Sequence, residues 1–401
     1  MTASLTTPTW PMAATRDPVP PALLIACTIL AVLNIGFFPT YFGRGWITQD
    51  GLGVPTDFIN VWSAGRLVLD GHPAWAYDWG IQKALQVSVL GQSYPGNFAW
   101  HYPPPFLFVA ALLAHLPYAV AFAGWAVVSA IPYLVVMRAI VGRPFGLVLA
   151  AAFPVVLTNV LVGQNGFLTA SLIGGVLLLL PTRPVLSGIC LGLLSYKPQY
   201  GPLFPLVLLA TFQWRAFVSA GITACTLAAL SWLAFGTESW QAFVHWMPVM
   251  SKAFLVDGLA PWGKMQSVYA LVRYLDGSET LGWILQWIMT AIVAVTMVLL
   301  WRSRARYELK AAALATGTLL VTPYLFLYDV MVLAIAVGFL VRIGLNEGFR
   351  RYELPMLAAV AALLIAYGFV GAPTGFGATL LVAALIAVRV MKPSRTTPIA
   401  G

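Results

Sequence analysis

The chain has 401 residues, of which 60% are hydrophobic and only 9% charged; 22 Lys and Arg against 13 Asp and Glu give a net charge of +9. Soluble proteins carry roughly 25% charged residues, whereas charge is missing here from the stretches 18–43, 102–137, 144–182, 216–237, 280–301 and 354–388. A bilayer crossing takes about 20 mainly apolar residues, so a soluble globular enzyme is excluded and a polytopic helical membrane protein is indicated.

The polar, proline-rich start of the chain has no basic segment joined to a short apolar run with a cleavage site, so the first apolar run is expected to be an uncleaved span. Spans are predicted near 21–40, 118–137, 145–161, 167–181, 185–195, 200–213, 216–235, 281–301, 311–323, 328–343, 354–370 and 374–390, about 12 in all. The apolar segment 105–116 stops at Pro117 and is short for a crossing; it is expected to be re-entrant or interfacial. With the N-terminus inside, 15 of the 22 basic residues fall on the cytoplasmic side, among them Arg138, Arg143, Arg183, Arg215, Arg302, Lys310, Arg342 and Arg389. Seven are left outside: Arg44, Arg66, Lys83, Lys197, Lys252, Lys264 and Arg273. The whole chain, 1–401, reads as one all-α membrane domain with two large extracytoplasmic loops, 41–104 and 237–280, both expected to contain helices. Cys27, Cys190 and Cys225 lie in apolar runs without CxxC spacing and read as small packed residues.

Polar groups concentrate at a few places along the chain. The first loop interleaves Asp50, Asp57, Asp70 and Asp78 with Trp46, Trp62, Trp75, Tyr77, Trp79 and Trp100. Such a pattern suits a sugar-binding face, since rings cover apolar sugar faces and carboxylates bind hydroxyls; an interfacial aromatic belt accounts for the rings equally well. Asp57 opens a helical stretch through Arg66, which it could cap, with Gly65 ending the helix or allowing close packing. His101 and Tyr102 precede three prolines that fix an extended approach to the membrane. Gly163-Gln164-Asn165-Gly166 is a polar turn between two spans whose amides suit sugar hydroxyls.

Lys197 lies between two short apolar arms, where a buried ammonium needs a cavity, a carboxylate or an anionic ligand. Tyr328 and Asp329 follow at an outer helix end, Asp329 being a counter-ion for Lys197, an acceptor-site residue or a helix cap. No Walker loop, GxGxxG, HExxH, EF-hand or GxSxG is present, and His72, His101, His115 and His245 are scattered, so no metal or cofactor is expected.

The ordered set Asp57-Phe58, Trp62-Ser63-Ala64-Gly65-Arg66, Leu69-Asp70-Gly71-His72-Pro73, Tyr77 and Tyr102-Pro103-Pro104 resembles glycosyltransferase family 87. The turn Gly163-Gln164-Asn165 and the pair Lys197-Pro198 extend the likeness to about position 200. Those proteins are polytopic GT-C type enzymes that include mycobacterial polyprenyl-phosphate-mannose-dependent mannosyltransferases. The resemblance implies a GT-C bundle in the bacterial inner membrane, with a polyprenyl-phosphate sugar (mannose, or another hexose or pentose) as donor. It further implies a lipid or glycan acceptor, no nucleic acid, and catalysis on the extracytoplasmic side with Asp57 as general base. On that reading Lys197, His101 and Arg66 bind the donor phosphate, with Lys252, Lys264 and Arg273 as further candidate cations. Trp62, Tyr102, Gln164, Asn165, Tyr328 and Asp329 bind sugar or acceptor.

The chemistry is consistent with one base. A phosphate-activated sugar needs no acid on its leaving oxygen, only a carboxylate to take the acceptor proton and positive groups for the departing phosphate. A single inverting displacement follows, because a retaining route wants a second carboxylate as nucleophile. The competing reading is a transporter or flippase of a lipid-linked sugar. It shares the cavity and the lysine but predicts inverted repeats, which the sequence does not show. A non-catalytic membrane assembly subunit is a third class.

Overall fold

The computed structural model describes residues 18–42, 57–91, 93–94 and 97–392; Trp46, Asp50, Arg16, Arg44 and Arg395 lie outside the described residues. Within them the chain is helical, and no strand occurs beyond one isolated bridge between Met265 and Phe326. In chain order the helices are α1 Pro21–Phe42, α2 Phe58–Leu69, α3 Trp79–Leu90, α4 Leu107–Ala114, α5 Tyr118–Val141, α6 Phe145–Ala152, α7 Val155–Val162 and α8 Gly166–Leu179. They continue with α9 Pro184–Leu193, α10 Leu203–Ala210, α11 Trp214–Leu255, α12 Val268–Tyr274, α13 Glu279–Arg302, α14 Tyr307–Leu320, α15 Leu333–Glu347, α16 Glu353–Val370 and α17 Thr374–Met391.

Seven of these are long and apolar enough to cross a membrane: α1, α5, α11, α13, α15 with the turn before it, α16 and α17; α6 and α7, bent by 63°, make an eighth if taken as one crossing. That is fewer than the twelve expected. The remaining four expected spans are α8, α9, α10 and α14, of 14, 10, 8 and 14 residues. At ~1.5 Å per residue the longest reaches about 21 Å, short of a hydrocarbon core of about 30 Å. An apolar run reads alike in hydropathy whether lipid or protein covers it. Helix α14 is buried along nearly its whole length, and α15 likewise forms the centre of the bundle. The segment 105–116 is the short helix α4, lying against α2. A Cβ on Gly65 would come within 2.0 Å of the Ala110 carbonyl oxygen, so Gly65 permits close packing and does not end the helix.

Proline breaks are repaired by side chains. Pro154 has no N–H to give the Ala150 carbonyl, and the helix turns there. The Tyr133 hydroxyl donates to Ala150 O (3.2 Å), while Asn34 of α1 donates to the carbonyls of Ala151 (2.9 Å) and Phe153 (3.3 Å). A bent helix inside a membrane needs such donors. In α11, Gly236 (φ 75°, ψ 170°) divides a first limb of ~33 Å from a second limb. Phe243 and Trp246 of that second limb pack on Tyr77 and Trp79. Cys225 on the first limb is exposed, not packed.

Contacts gather four of the basic residues assigned to the cytoplasm, Arg143, Arg306, Arg342 and Arg389, at one end. Arg143 donates to Leu345 O and Arg342 to Ile140 O, both at 2.9 Å. Arg389 pairs with Glu353 (2.5 Å) and Glu347 (3.4 Å), and Arg306 pairs with Glu347. Asp57, Gln164, Lys197 and Asp329 meet elsewhere, at the far end of α8 and α15 from that cluster.

Candidate active site

Asp57 stands directly before α2 with helical backbone angles (φ −58°, ψ −24°), and its side chain does not cap the helix. A capping side chain needs an extended backbone to fold back over the first turn; in its αR conformation Asp57 points elsewhere, and its Oδ2 accepts from Gln164 Nε2 at 3.0 Å. The carboxyl is half-buried. Burial raises its pKa above the ordinary carboxylate value, while the Gln164 hydrogen bond and the ammonium groups of Lys264 and Lys197 pull it down, and Asp329 pushes it up.

Gln164 is delivered by a turn with no room to spare. Gly163 adopts φ 67°, and a Cβ there would meet Phe122 at 2.5 Å and Phe58 at 2.6 Å; one on Gly166 would meet Tyr328 O at 2.4 Å. Asn159 Oδ1 accepts from Gly166 N (2.8 Å), closing the turn. The turn is thereby wedged between the start of α2 and the segment before α15. Tyr102, also buried, donates to Gln164 Oε1 at 3.1 Å.

The break between α9 and α10 consists of two short 3-10 turns, Leu194–Tyr196 and Pro198–Tyr200, with Lys197 (φ −128°, ψ 72°) between them. Lys197 is only 5% exposed, and its Nζ meets Asp329 Oδ1, itself on a 3% exposed residue, at 2.5 Å. The rings of Tyr200 and Tyr328 flank the ammonium at 5.7 and 5.6 Å from its nitrogen. The other Asp329 oxygen accepts from Phe326 N (3.1 Å), so Asp329 is both counter-ion and helix-start acceptor.

The segment 261–267 is pinned beside this group. Gln266 N donates to Leu325 O (2.6 Å), its Oε1 accepts from Gly375 N (2.7 Å), and Ser267 Oγ donates to Pro323 O (2.8 Å). That places Lys264 within electrostatic reach of Asp57. His101 meets the Tyr324 hydroxyl through Nδ1 at 3.3 Å, and its Nε2 is buried without a partner among the described residues. Burial pushes its pKa down to about 4, so at neutral pH His101 offers a neutral imidazole and not the cation expected of it. Asn165 Oδ1 is likewise buried with no hydrogen-bond partner among the described residues, which is costly unless something else binds there.

Asp57, Tyr102, Gln164, Asn165, Lys197, Tyr328, Asp329 and His101 are thus gathered into one region. Arg66 and Trp62 are not. Arg66 pairs with Asp70 (3.4 Å) on the exposed flank of α2, and Trp62 Nε1 donates to Leu116 O (2.9 Å), tying α2 to the start of α5. Asp78 accepts from Ile81 N (2.9 Å) as a helix cap, and Tyr77 and Trp100 are wholly buried. Tyr77 and Trp100 therefore pack the core of the first loop, while Trp75 is exposed. Of the remaining cations, Arg273 turns back on Gly277 O (3.2 Å). Lys264 comes forward instead; in the sequence it was one lysine among several, because the backbone bonds that carry it to Asp57 leave no motif. Among the described residues no three His, Cys, Asp or Glu side chains group as a metal site requires.

The profile of glycosyltransferase family 87 matches residues 100–323. His101, Tyr102, Gln164, Asn165, Lys197 and Lys264 lie inside the match, Asp57 and Asp329 outside it, and the match runs well past position 200, where the motifs in the sequence stop. No curated protein and no solved structure matches the chain. The helical bundle, its membrane-length helices and a family match over more than half the chain establish that this protein belongs to glycosyltransferase family 87 and is a membrane glycosyltransferase.

Proposed function

We propose that the protein moves a sugar from a polyprenyl-phosphate donor to a lipid-linked or polysaccharide acceptor on the extracytoplasmic side of a bacterial inner membrane, with inversion and with Asp57 as general base. The observation that carries this reading is a half-buried carboxylate under the electrostatic influence of two lysines, Lys197 and Lys264, at one end of the bundle. In this account Asp57 takes the acceptor hydroxyl proton as the oxygen attacks the anomeric carbon, and the bond to the phosphate breaks on the opposite face. Lys197 and Lys264 stabilise the departing phosphate, whose charge grows in the transition state. His101 contributes a neutral ring nitrogen as a hydrogen-bonding group. Asn165, Tyr200 and Tyr328 supply polar atoms for sugar hydroxyls. Mannose is the first sugar to test.

The whole chain acts as a single GT-C-like membrane domain, with 41–104 and 237–280 facing outward, a direction supported by the basic residues gathered at the opposite end. The test is reconstitution of the full chain in liposomes with radiolabelled polyprenyl-phosphate mannose and candidate acceptors. A new glycosidic product made at the outer face is expected. Movement of the lipid between leaflets without product would favour a flippase.

A further inference from the structure

We propose that Gln164 is the positioning residue of Asp57, holding one carboxylate oxygen so that the other faces the acceptor hydroxyl, and that Tyr102 fixes the amide in the orientation this requires. The proposal rests on the reading of Asp57 as the base and gives Gln164 a different task from sugar binding.

Two contacts define the amide. Tyr102 Oη donates to Oε1 at 3.1 Å, and Nε2 donates to Asp57 Oδ2 at 3.0 Å. A flipped amide would set its oxygen against a carboxylate, which has no proton to share when ionised. The carboxylate therefore selects the orientation in which it receives a donor, and the Tyr102 hydroxyl holds that orientation by donating to the amide oxygen. Each member is held from behind. Tyr102 packs against Trp100 (5.0 Å) and Phe106 (4.7 Å), and its carbonyl accepts from the Tyr77 hydroxyl at 3.0 Å. Gln164 N donates to Asn159 O (3.1 Å) within the turn closed by Gly163 and Gly166. Asp57 Oδ1 has no hydrogen bond among the described residues. A carboxylate with one oxygen tied and one open accepts a proton from a single direction, as a base in a displacement must.

The chain also tunes the base. Facing Asp57 are Gln164 from the turn, Lys264, Lys197, Asp329, Tyr324 and Tyr328. Burial raises the Asp57 pKa and the Gln164 hydrogen bond lowers it. Without that bond the pKa rises further, less of the base is ionised at any pH below it, and the acid limb of the rate profile moves to higher pH.

The experiment measures kcat and KM against pH for the full chain in lipid nanodiscs, with radiolabelled polyprenyl-phosphate mannose and an accepted acceptor. It compares wild type, Gln164→Met, Tyr102→Phe, Asp57→Asn and Gln164→Met with Asp57→Asn. Gln164→Met is expected to lower kcat about 10- to 100-fold, the scale of one lost hydrogen bond to a charged group. Donor KM stays within about twofold, as expected when only transition-state stabilisation is lost, and the acid limb moves up. Tyr102→Phe, which keeps the packed ring, moves the limb in the same direction by less. The double variant is no worse than Asp57→Asn alone. An unmoved acid limb, or a loss confined to donor KM, overturns the proposal. If Gln164→Met fails to fold, Tyr102→Phe decides the matter on the same readout. Near wild-type transfer by Asp57→Asn instead removes the base itself, a result separable from any failure of Gln164.

Discussion

Lys197 and Asp329 are 132 residues apart in the chain and close a buried ion pair at 2.5 Å. Neither charge is stable alone at that depth, and each residue sits where a helix is interrupted: Lys197 between two proline-flanked arms, Asp329 in the turn that leads into α15. The pair therefore joins two broken helices at the same end of the bundle as Asp57. It also sets a condition on donor binding. One of the three ammonium protons of Lys197 is engaged by Asp329, and on the proposed function a donor phosphate uses the others.

Breaking this pair from one side is expected to be expensive. Lys197→Met strands a buried carboxylate, and losses of that kind are about 3–5 kcal/mol. Adding Asp329→Asn should recover most of the stability without recovering transfer, because the charge opposite the phosphate is still missing. Denaturant melts of the single and double variants in one detergent, set beside donor titrations, check both halves. Full recovery of transfer by the double variant would make Lys197 a purely structural residue.

Lys264 offers a milder perturbation. Its ammonium lowers the pKa of Asp57, so Lys264→Met should raise it and move the acid limb of kcat/KM to higher pH. Because Lys264 is exposed, stability should not change, and raising the salt concentration in the wild type should mimic part of the shift. Rate profiles at two salt concentrations measure this directly.

The turn at 163–166 predicts a contrast between glycines. Gly166→Ala drives a Cβ to within 2.4 Å of Tyr328 O, and Gly163→Ala adds a strained φ of 67° to a collision with Phe58. Both should lower the melting temperature and depress transfer at least about tenfold, since misplacement by ~1 Å costs on the order of 100-fold. Gly124→Ala in α5 meets nothing within 4 Å and should be neutral or stabilising by about 0.5–1 kcal/mol.

Much of this architecture is legible in the sequence, for reasons that can be named. The broken hairpin around Lys197 is visible because a lysine followed by proline has no other place in an apolar run, and α9 and α10 match its two arms. The short helix α4 is visible because Pro117 cuts its run too early to cross. The span count is not legible: α8 and α14 are apolar because protein buries them, while α9 and α10 expose an aliphatic face but have only 10 and 8 residues. Arg66 and Trp62 share a motif with Asp57 and yet point away from it, because the helix turns Trp62, five positions on, toward the start of α5 and Arg66, nine positions on, onto the exposed flank of α2. The partnership of Gln164 with Asp57 joins positions 107 residues apart, and no spacing within either motif announces it.

Topology supplies a further check on the two ends. Single cysteines placed in 302–310 should be labelled only from the cytoplasmic side, and cysteines in 256–262 only from outside. Labelling of 302–310 by an impermeant reagent added to intact cells would contradict the proposed orientation.

The central claim is that Asp57 removes the acceptor proton, and Asp57→Asn tests it most directly. The amide keeps the size of the side chain and abolishes its basicity. With radiolabelled polyprenyl-phosphate mannose and an accepted acceptor, transfer by purified Asp57→Asn is predicted to fall by about 100- to 10,000-fold, with an unchanged melting temperature and unchanged donor affinity. Transfer near the wild-type rate by a folded Asp57→Asn would contradict the account.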